Sequence, residues 1–489
     1  MEYLLRLGEL TLKMGRSRER FEERLLYNVR DALESNGLEP KRLVMMRGRV
    51  YIEVDQDAMD VLRRVFGVVG VAEVVSHKFR TLDDVVERGV EVFGDMVRGK
   101  SFGVRTKRIG RHDFTSLDVN KALGRELLRY GSKVDLTNPD IWVRLEIRGD
   151  TTYYILREKP GYGGLPIGTG GTVLSLFSGG FDSPVAAWMV MRRGVEVNMV
   201  HFQLGGENHF HKVLAVAIRL ARRWGYGYRP TLYRVDFRPI VKEIRDKVRQ
   251  DYRIVVLKRL MYKAASILLE ELGGEALVTG ESIGQVSSQT LRNLVITDRA
   301  VRDTVLRPLI GLDKNDIIGF SREIGLYNLS EKVEEVCALV EDAPVVWGDE
   351  EVAVEEESKI DEELLKNAVM NRVKYVLRDL DEIDIDSIDS LGVEPDSIPE
   401  DSVIIDIRGK FSYTLGHIPG SINMSPDELL SNAERFKGGG RPVVVVCPVG
   451  LESIDVVKKL REMGVEAYYL LGGYRGYRLT QKPQIGGRN

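Results

Sequence analysis

The sequence predicts a multidomain chain of mixed α/β and α+β class, organised around one parallel sheet, and three observations carry that expectation. From position 173 onward, VLSLF, PVAAWMVMRRG, VNMVHF, VLAVAIRLARRW and EALVTG read strand, helix, strand, helix, strand, the alternation of a parallel sheet covered by helices. Ahead of them lies GYGGLPIGTGGT, in which six of twelve residues are glycine, a connection rather than an element. Behind them comes an acidic, interrupted stretch, and from position 401 a second, smaller α/β pattern begins with VIIDI and VVVVC as buried strands.

The region before the glycine-rich connection reads differently. Short strands are expected over residues 3–7 and 50–54, with a helix over 17–33 that places Phe21, Leu25, Leu26, Val29 and Leu33 on one face. Leu62, Val65 and Phe66 suggest a further helix and then a strand, and WVRLEI and TTYYILRE read as a strand pair. The expected divisions are 1–58, 59–160, a linker at 161–172, 173–345, an acidic linker at 346–395 with one helix around 364–377, and 396–489.

Composition narrows the function classes. Of 489 residues, 43% are hydrophobic and 30% charged, the profile of a soluble globular protein, and no apolar run reaches the ~18 residues of a membrane span. The N-terminus lacks the basic flank, apolar core and cleavage site of a secretory signal. Two cysteines, Cys337 and Cys447, exclude a disulfide framework and fit a reducing, cytoplasmic setting. Between positions 346 and 400 there are 18 acidic and 5 basic residues, a net of −13, so the chain's total of −3 leaves +10 on the rest, compatible with a polyanionic partner. His209 and His211 stand without a ligand array, and no metal site is expected.

The most informative run is Leu176, Phe177, Ser178, Gly179, Gly180, Phe181, Asp182, Ser183, Pro184, which joins a buried strand to a helix. Proline in a first helical turn sacrifices no hydrogen bond, and paired glycines let the backbone approach an anion that Ser178, Ser183 and the helix-start N–H groups can bind. The run lacks the lysine of a Walker loop and resembles the SGGxDS pyrophosphate loop of the PP-loop ATPases, which cleave ATP between its α and β phosphates. VTGESIGQVSSQTLRNL follows another buried strand and sets Gly280, Gln285 and Gln289 at the carboxyl end of the sheet, where such folds bind ligands. Lys258 and Lys314 are cations that could reach phosphates.

Cys447 follows the strand VVVV in a Pro/Gly loop that opens a helix expected over 453–464, a setting that makes a thiol nucleophilic. Upstream, Asp406-Ile407-Arg408 and Gly416-His417-Ile418-Pro419-Gly420 resemble the DxR and GHIPGA segments of rhodanese domains, whose cysteine carries a persulfide. Rhodanese loops active on thiosulfate often hold an arginine, whereas Glu452 is the only charged residue in this loop, and by that departure the resemblance implies a protein sulfur donor such as a cysteine desulfurase rather than free thiosulfate. By spacing alone Cys337 is a helix-face cysteine with no special role. Arg105, Lys107, Arg108 and Arg111, with Lys121 nearby, form a cation cluster suited to phosphate neutralisation.

Taken together these segments resemble the ThiI family of 4-thiouridine synthetases over nearly the whole chain: a ferredoxin-like domain over the first 60 residues, a THUMP RNA-binding domain around FGVRTKRIGRHDFTSLDV, a PP-loop ATPase domain and a rhodanese-like domain. The resemblance implies a cytoplasmic tRNA sulfurtransferase that uses ATP and Mg²⁺ to adenylate uridine O4, expected at tRNA position 8, with sulfur taken from a Cys447 persulfide. It implies ATP contacts at Leu176, Phe177, Lys258, Gly280 and Gln289, an essential carboxylate at Asp182, a helping cation at Lys314, and a resolving role for Cys337 through a disulfide with Cys447. A cysteine desulfurase is the implied donor, and a homodimer is left open. Two alternatives remain at this point: sulfur delivery to thiamine's thiazole, and a tRNA-binding module with a degenerate ATPase.

Overall fold

The computed structural model describes residues 1–12, 14–334, 345–450 and 452–481. It divides into two compact units, Met1–Gly170 with Met191–Val195 and Tyr226–Tyr228, and the remainder.

The first unit is built on eight strands: β1 Glu2–Leu7, β2 Arg42–Met46, β3 Arg49–Glu53, β4 Val68–Lys78, β5 Ser101–Ile109, β6 Lys133–Val134, β7 Ile141–Arg148 and β8 Thr151–Pro160. They form one continuous sheet in the order β2-β3-β1-β4-β8-β7-β5-β6. The ferredoxin-like and THUMP segments, expected over 1–58 and 59–160, share one sheet through the β1–β4 pairing. The helix Gly15–Glu34 forms where expected, and its Phe21, Leu25, Val29 and Leu33 stripe packs on Tyr3, Leu5 and Leu7 of β1. Helices Leu82–Phe93 and Ser116–Leu127 each start at a capping box, Thr81 with Asp84 and Thr115 with Asp118. Both contribute to a core with Phe102, Val104, Val143 and Leu145.

The second unit carries two sheets. The first holds β9 Thr172–Leu176, β10 Glu196–Gln203, β11 Thr231–Asp236, β12 Ala276–Val278, β13 Thr304–Leu306 and β14 Val373–Val376, in the order β13-β12-β9-β10-β11-β14. Five strands are parallel, as the alternation predicts, and β14 is antiparallel to β11. The chain runs outward from β9 through β10 and β11, then returns to place β12 on the other side of β9. That reversal makes the carboxyl ends of β9 and β12 the switch point where open α/β sheets bind ligands. The other sheet is wholly parallel: β15 Gly392–Val393, β16 Val403–Asp406, β17 Ile422–Asn423, β18 Val443–Val446 and β19 Ala467–Leu470, ordered β15-β19-β18-β16-β17.

The acidic segment corrects the sequence reading. It is not a linker with one helix over 364–377. It forms helices Glu350–Glu357, Glu362–Met370 and Ile385–Leu391 and supplies β14 and β15 to two different sheets. The reason is charge pairing. Glu357 accepts from Arg259 (2.6 Å) and pairs with Lys263, Glu382 pairs with Arg219 (2.7 Å), and Glu350 pairs with Arg299. Acidity that reads as a solvated tether is the counter-charge to basic helices of the nucleotide sheet, while Ala353, Leu365 and Val369 join that sheet's core. Among the described residues no helix is long and apolar enough to cross a membrane.

Candidate functional site

The loop after β9 turns at Gly179, whose φ of +82° suits glycine, and enters the helix Asp182–Met191. The Ser183 hydroxyl is buried and accepts hydrogen bonds from the N–H groups of Ser178 (3.0 Å) and Gly179 (3.3 Å). Ser183 therefore shapes the loop from inside. Phe177 is buried, with its N–H donating to Val200 O (2.8 Å) and its carbonyl 3.0 Å from His201 Nδ1, so Leu176 and Phe177 hold the strand end in place.

Asp182 lies at the loop's mouth and gathers the loops around it. Lys314 Nζ donates to both carboxylate oxygens (2.9 and 3.0 Å), and Gln285 Nε2 donates to Oδ2 (2.9 Å). Lys314 opens a helix, Lys314–Glu323, capped by Asp313, and its ammonium lies 5.6 Å from the Phe181 ring, which stacks on Tyr327. Gly280 follows from close approach: a Cβ there would lie 2.8 Å from the Asp182 carbonyl carbon and the Ser183 nitrogen. The switch-point loops are thus pressed together backbone to backbone. The side-chain oxygens of Gln285 and Gln289 are buried without hydrogen-bond partners, acceptors available for an exocyclic amine such as that of adenine.

Lys258 is not a free cation. It pairs with Glu281 (2.9 Å), which also accepts from Tyr262 (2.6 Å) and Arg307 (2.9 Å). Burial works against the Glu281 carboxylate, but Lys258, Tyr262 and Arg307 outweigh it and hold it down at about 2. Glu281 sits in the quoted VTGE run, yet nothing in spacing reveals that it anchors Lys258; Tyr262 and Arg307 carry no sequence signal.

At the other sheet, Cys447 directly follows β18 and is fully buried. Its Sγ accepts hydrogen bonds from Gly450 N–H (3.1 Å) and the Ser453 hydroxyl (3.3 Å), the latter in the helix Glu452–Glu462. Asp406, also fully buried, grips Arg408 through paired contacts (2.9 and 2.6 Å), and Arg408 spans to Gly416 O (2.8 Å) and lies 3.7 Å over the Tyr474 ring. The DxR and GHIPG segments therefore brace the floor of the cysteine loop. Cys337, and with it the expected Cys337–Cys447 disulfide, lies outside the described residues.

In the first unit the basic run divides. Arg105 and Lys107 are exposed on the sheet face opposite the helices, with Arg105 3.5 Å over Trp142. They border a hollow of about 280 Å³ shared with Arg6, Arg49 and Arg144. Arg108 alternates to the helix side and donates to Gly110 O (3.1 Å) and His112 Nδ1 (2.8 Å). Arg111 and Lys121 are exposed, Lys121 on the helix Ser116–Leu127. The five cations do not form one patch. Arg6, Arg49 and Arg144 come from distant strands, which is why spacing misses them.

A nucleotide-type loop at a switch point and a braced thiol loop on a second parallel sheet put the chain among nucleotide-activating sulfurtransferases. Family models agree: "Thiamine biosynthesis protein (ThiI)" matches residues 168–362, "Rhodanese-like domain" 395–480, "ThiI ferredoxin-like domain" 2–72 and "THUMP domain" 79–156. A tRNA sulfurtransferase of Desulfurococcus amylolyticus is 40% identical over 96% of this chain and 97% of its own length. One of Pyrobaculum aerophilum is 37% identical over 96% of each chain. A solved structure described as a 4-thiouridine synthetase–RNA complex with bound ATP matches at a TM-score of 0.68 and 28% identity, covering 76% of this chain and 98% of that one. The chain belongs to the ThiI family of tRNA sulfurtransferases.

Proposed function

We propose that the chain makes 4-thiouridine in tRNA, expected at position 8, by activating uridine O4 with ATP and replacing that oxygen with sulfur carried on Cys447. The observation that carries the reading is Asp182, held by Lys314 and Gln285 at the mouth of an intact pyrophosphate loop. Support comes from relatives named tRNA sulfurtransferase and from the neighbouring structure described with bound ATP and RNA.

ATP is a substrate. The loop backbone and helix start bind its pyrophosphate, Lys314 balances phosphate charge, and Gln289 offers an acceptor near the base. Uridine O4 attacks the α phosphate, the α–β bond breaks and pyrophosphate leaves. The Asp182 carboxylate at the loop mouth, together with the nucleotide's own phosphates, would hold Mg²⁺, and the ion would neutralise phosphate charge there. The terminal sulfur of a Cys447 persulfide then forms a bond to C4 as the C4–O bond to AMP breaks. The resulting C4–S–S–Cys447 disulfide is cleaved by the Cys337 thiol, giving 4-thiouridine and a Cys337–Cys447 disulfide that a dithiol reduces. A cysteine desulfurase is the proposed donor for Cys447, and Arg105 and Lys107 are proposed phosphate contacts for tRNA.

Nucleoside mass spectrometry of tRNA from cells with and without the chain tests the reading, alongside tRNA-dependent pyrophosphate release. Asp182→Ala is expected to abolish release while tRNA binding persists; normal release would overturn the assignment. The ThiI model's description also supports sulfur supply for thiamine's thiazole, which a deletion strain's thiazole requirement would test.

A further inference from the structure

Three histidines, a buried carboxylate and two glycines that the reaction does not use lie around the start of one helix, Glu207–Trp224. That helix has no cap of its own, since Gly206 precedes it. Its first N–H groups are taken instead by Glu394, 187 residues away in sequence: Oε2 accepts from Glu207 N–H (3.1 Å) and Oε1 from Asn208 N–H (2.8 Å). Glu394 directly follows β15, at the carboxyl end of the sheet that carries Cys447. Gly472, just past β19, comes so close that a Cβ there would lie 2.3 Å from the Glu207 carboxylate. Val449 O, two residues after Cys447, stands 3.4 Å from His211 Nε2. Glu207 itself is anchored from beneath by Arg234 (2.9 Å) and Gln203 (3.3 Å).

The same two turns touch the nucleotide loop. A Cβ on Gly179 would meet Val213 Cα at 3.0 Å, so the pyrophosphate loop rests on this helix two residues beyond His211, about 3 Å along the axis. His201, which approaches Phe177 O, lies 5.7 Å ring to ring from His209, and His209 Nε2 is 3.1 Å from Glu334 O, three residues before Cys337 in sequence. The cysteine loop and the pyrophosphate loop thus converge on residues 207–213.

We propose that the first two turns of Glu207–Trp224 form a transfer junction that docks the Cys447 loop beside the pyrophosphate loop of the same chain, so that sulfur is delivered in cis, with Glu394 as the positioning residue. The proposal rests on the sulfurtransferase reading above and adds where the sulfur crosses. Glu394 contacts the helix start and not the Cys447 thiol, whose partners are Gly450 and Ser453 of its own loop, so it sets where that loop sits and leaves the thiol's own chemistry untouched. Glu394 therefore acts on transfer and not on loading.

The test mixes two full-length variants, Asp182→Ala and Cys447→Ser, with tRNA, ATP, dithiothreitol and cysteine plus a cysteine desulfurase, and counts 4-thiouridine by mass spectrometry. Wild type in the same assay reports on the sulfurtransferase reading alone. Delivery in cis predicts that the mixture makes no more product than either variant by itself; recovery toward wild type would overturn it. In a second arm, Glu394→Ala loses two backbone hydrogen bonds at a helix start and should slow single-turnover transfer from preloaded Cys447 about tenfold. Glu394→Gln, which keeps an accepting oxygen, should recover part of that loss. Persulfide loading and thiolation driven by inorganic sulfide should stay at the wild-type rate. If loading and transfer fall together, or transfer does not fall, Glu394 is not a positioning residue and the junction is wrong.

Discussion

Replacing Glu281 by glutamine keeps the side chain's shape and removes its charge, leaving Lys258 and Arg307 facing each other across a buried site. Glu281 is 6% exposed, so the loss is not screened by water. Its carboxylate stands at about 2 against an ordinary 4.5, a displacement worth about 3 kcal/mol at neutral pH. Breaking a buried ion pair by removing one partner costs a similar ~3–5 kcal/mol. The sign is fixed by the direction. Because the folded value lies below the unfolded one, the contribution is complete above about pH 4.5 and disappears as pH falls toward about 2. Urea unfolding followed by tryptophan fluorescence is suited to this unit, since Trp188 and Trp224 are both buried in it, 5.5 Å apart ring to ring. Wild type should exceed Glu281→Gln by about 3 kcal/mol at pH 7, with the gap narrowing below pH 4.5. A difference under ~0.5 kcal/mol at pH 7, or a gap that ignores pH, would refute the reasoning. ATP-dependent activity should also fall, because Glu281 follows directly on Gly280, which packs against Asp182.

Three other perturbations separate the parts. Gly280→Ala places a methyl 2.8 Å from backbone atoms that cannot yield, so calorimetry should show weakened ATP binding and a stability loss of roughly 1–3 kcal/mol with circular dichroism unchanged. Reversing the charge of Arg105 and Lys107 together should weaken tRNA binding and flatten its salt dependence, while Arg108→Glu, which disturbs the turn at His112, should do so far less; filter binding across a salt series would reveal equal effects if the two sheet faces are not distinct. Cys447→Ser should abolish persulfide loading and thiolation, whereas Cys337→Ser should load normally, stall after one turnover and recover part of its activity with dithiothreitol; wild-type multiple turnover by Cys337→Ser without reductant would remove its resolving role.

The nucleotide loop was legible because its chemistry is local: glycine, serine, aspartate and proline within nine positions dictate a strand, an anion-accepting turn and a helix start. The parallel sheet was legible for a related reason, since strands buried on both faces read as continuous apolar runs such as VVVV. What escaped were partners brought together by the fold. Lys258 reads as a surface cation until Glu281 arrives 23 residues later, and the caps on Glu207 and Asn208 come from Glu394. The acidic segment misled because local composition carries no record of Arg259 or Arg219, whose charges it answers. Arg105 and Arg108 share a run but diverge in space because strand side chains alternate.

The antiparallel strand β14 has a consequence for how the chain can be divided. It closes the β11 side of the nucleotide sheet, pairing Thr231–Arg234 with Val373–Val376. A truncation ending near residue 345, the boundary that sequence suggests, would strip that strand and bare a row of unpaired N–H and C=O groups on β11, a template for association between copies. Ending after the turn Leu377–Asp379 would keep β11 paired. The sheet's own strand-and-helix alternation ends before its outermost strand is supplied, so the nucleotide sheet extends further along the chain than its motifs.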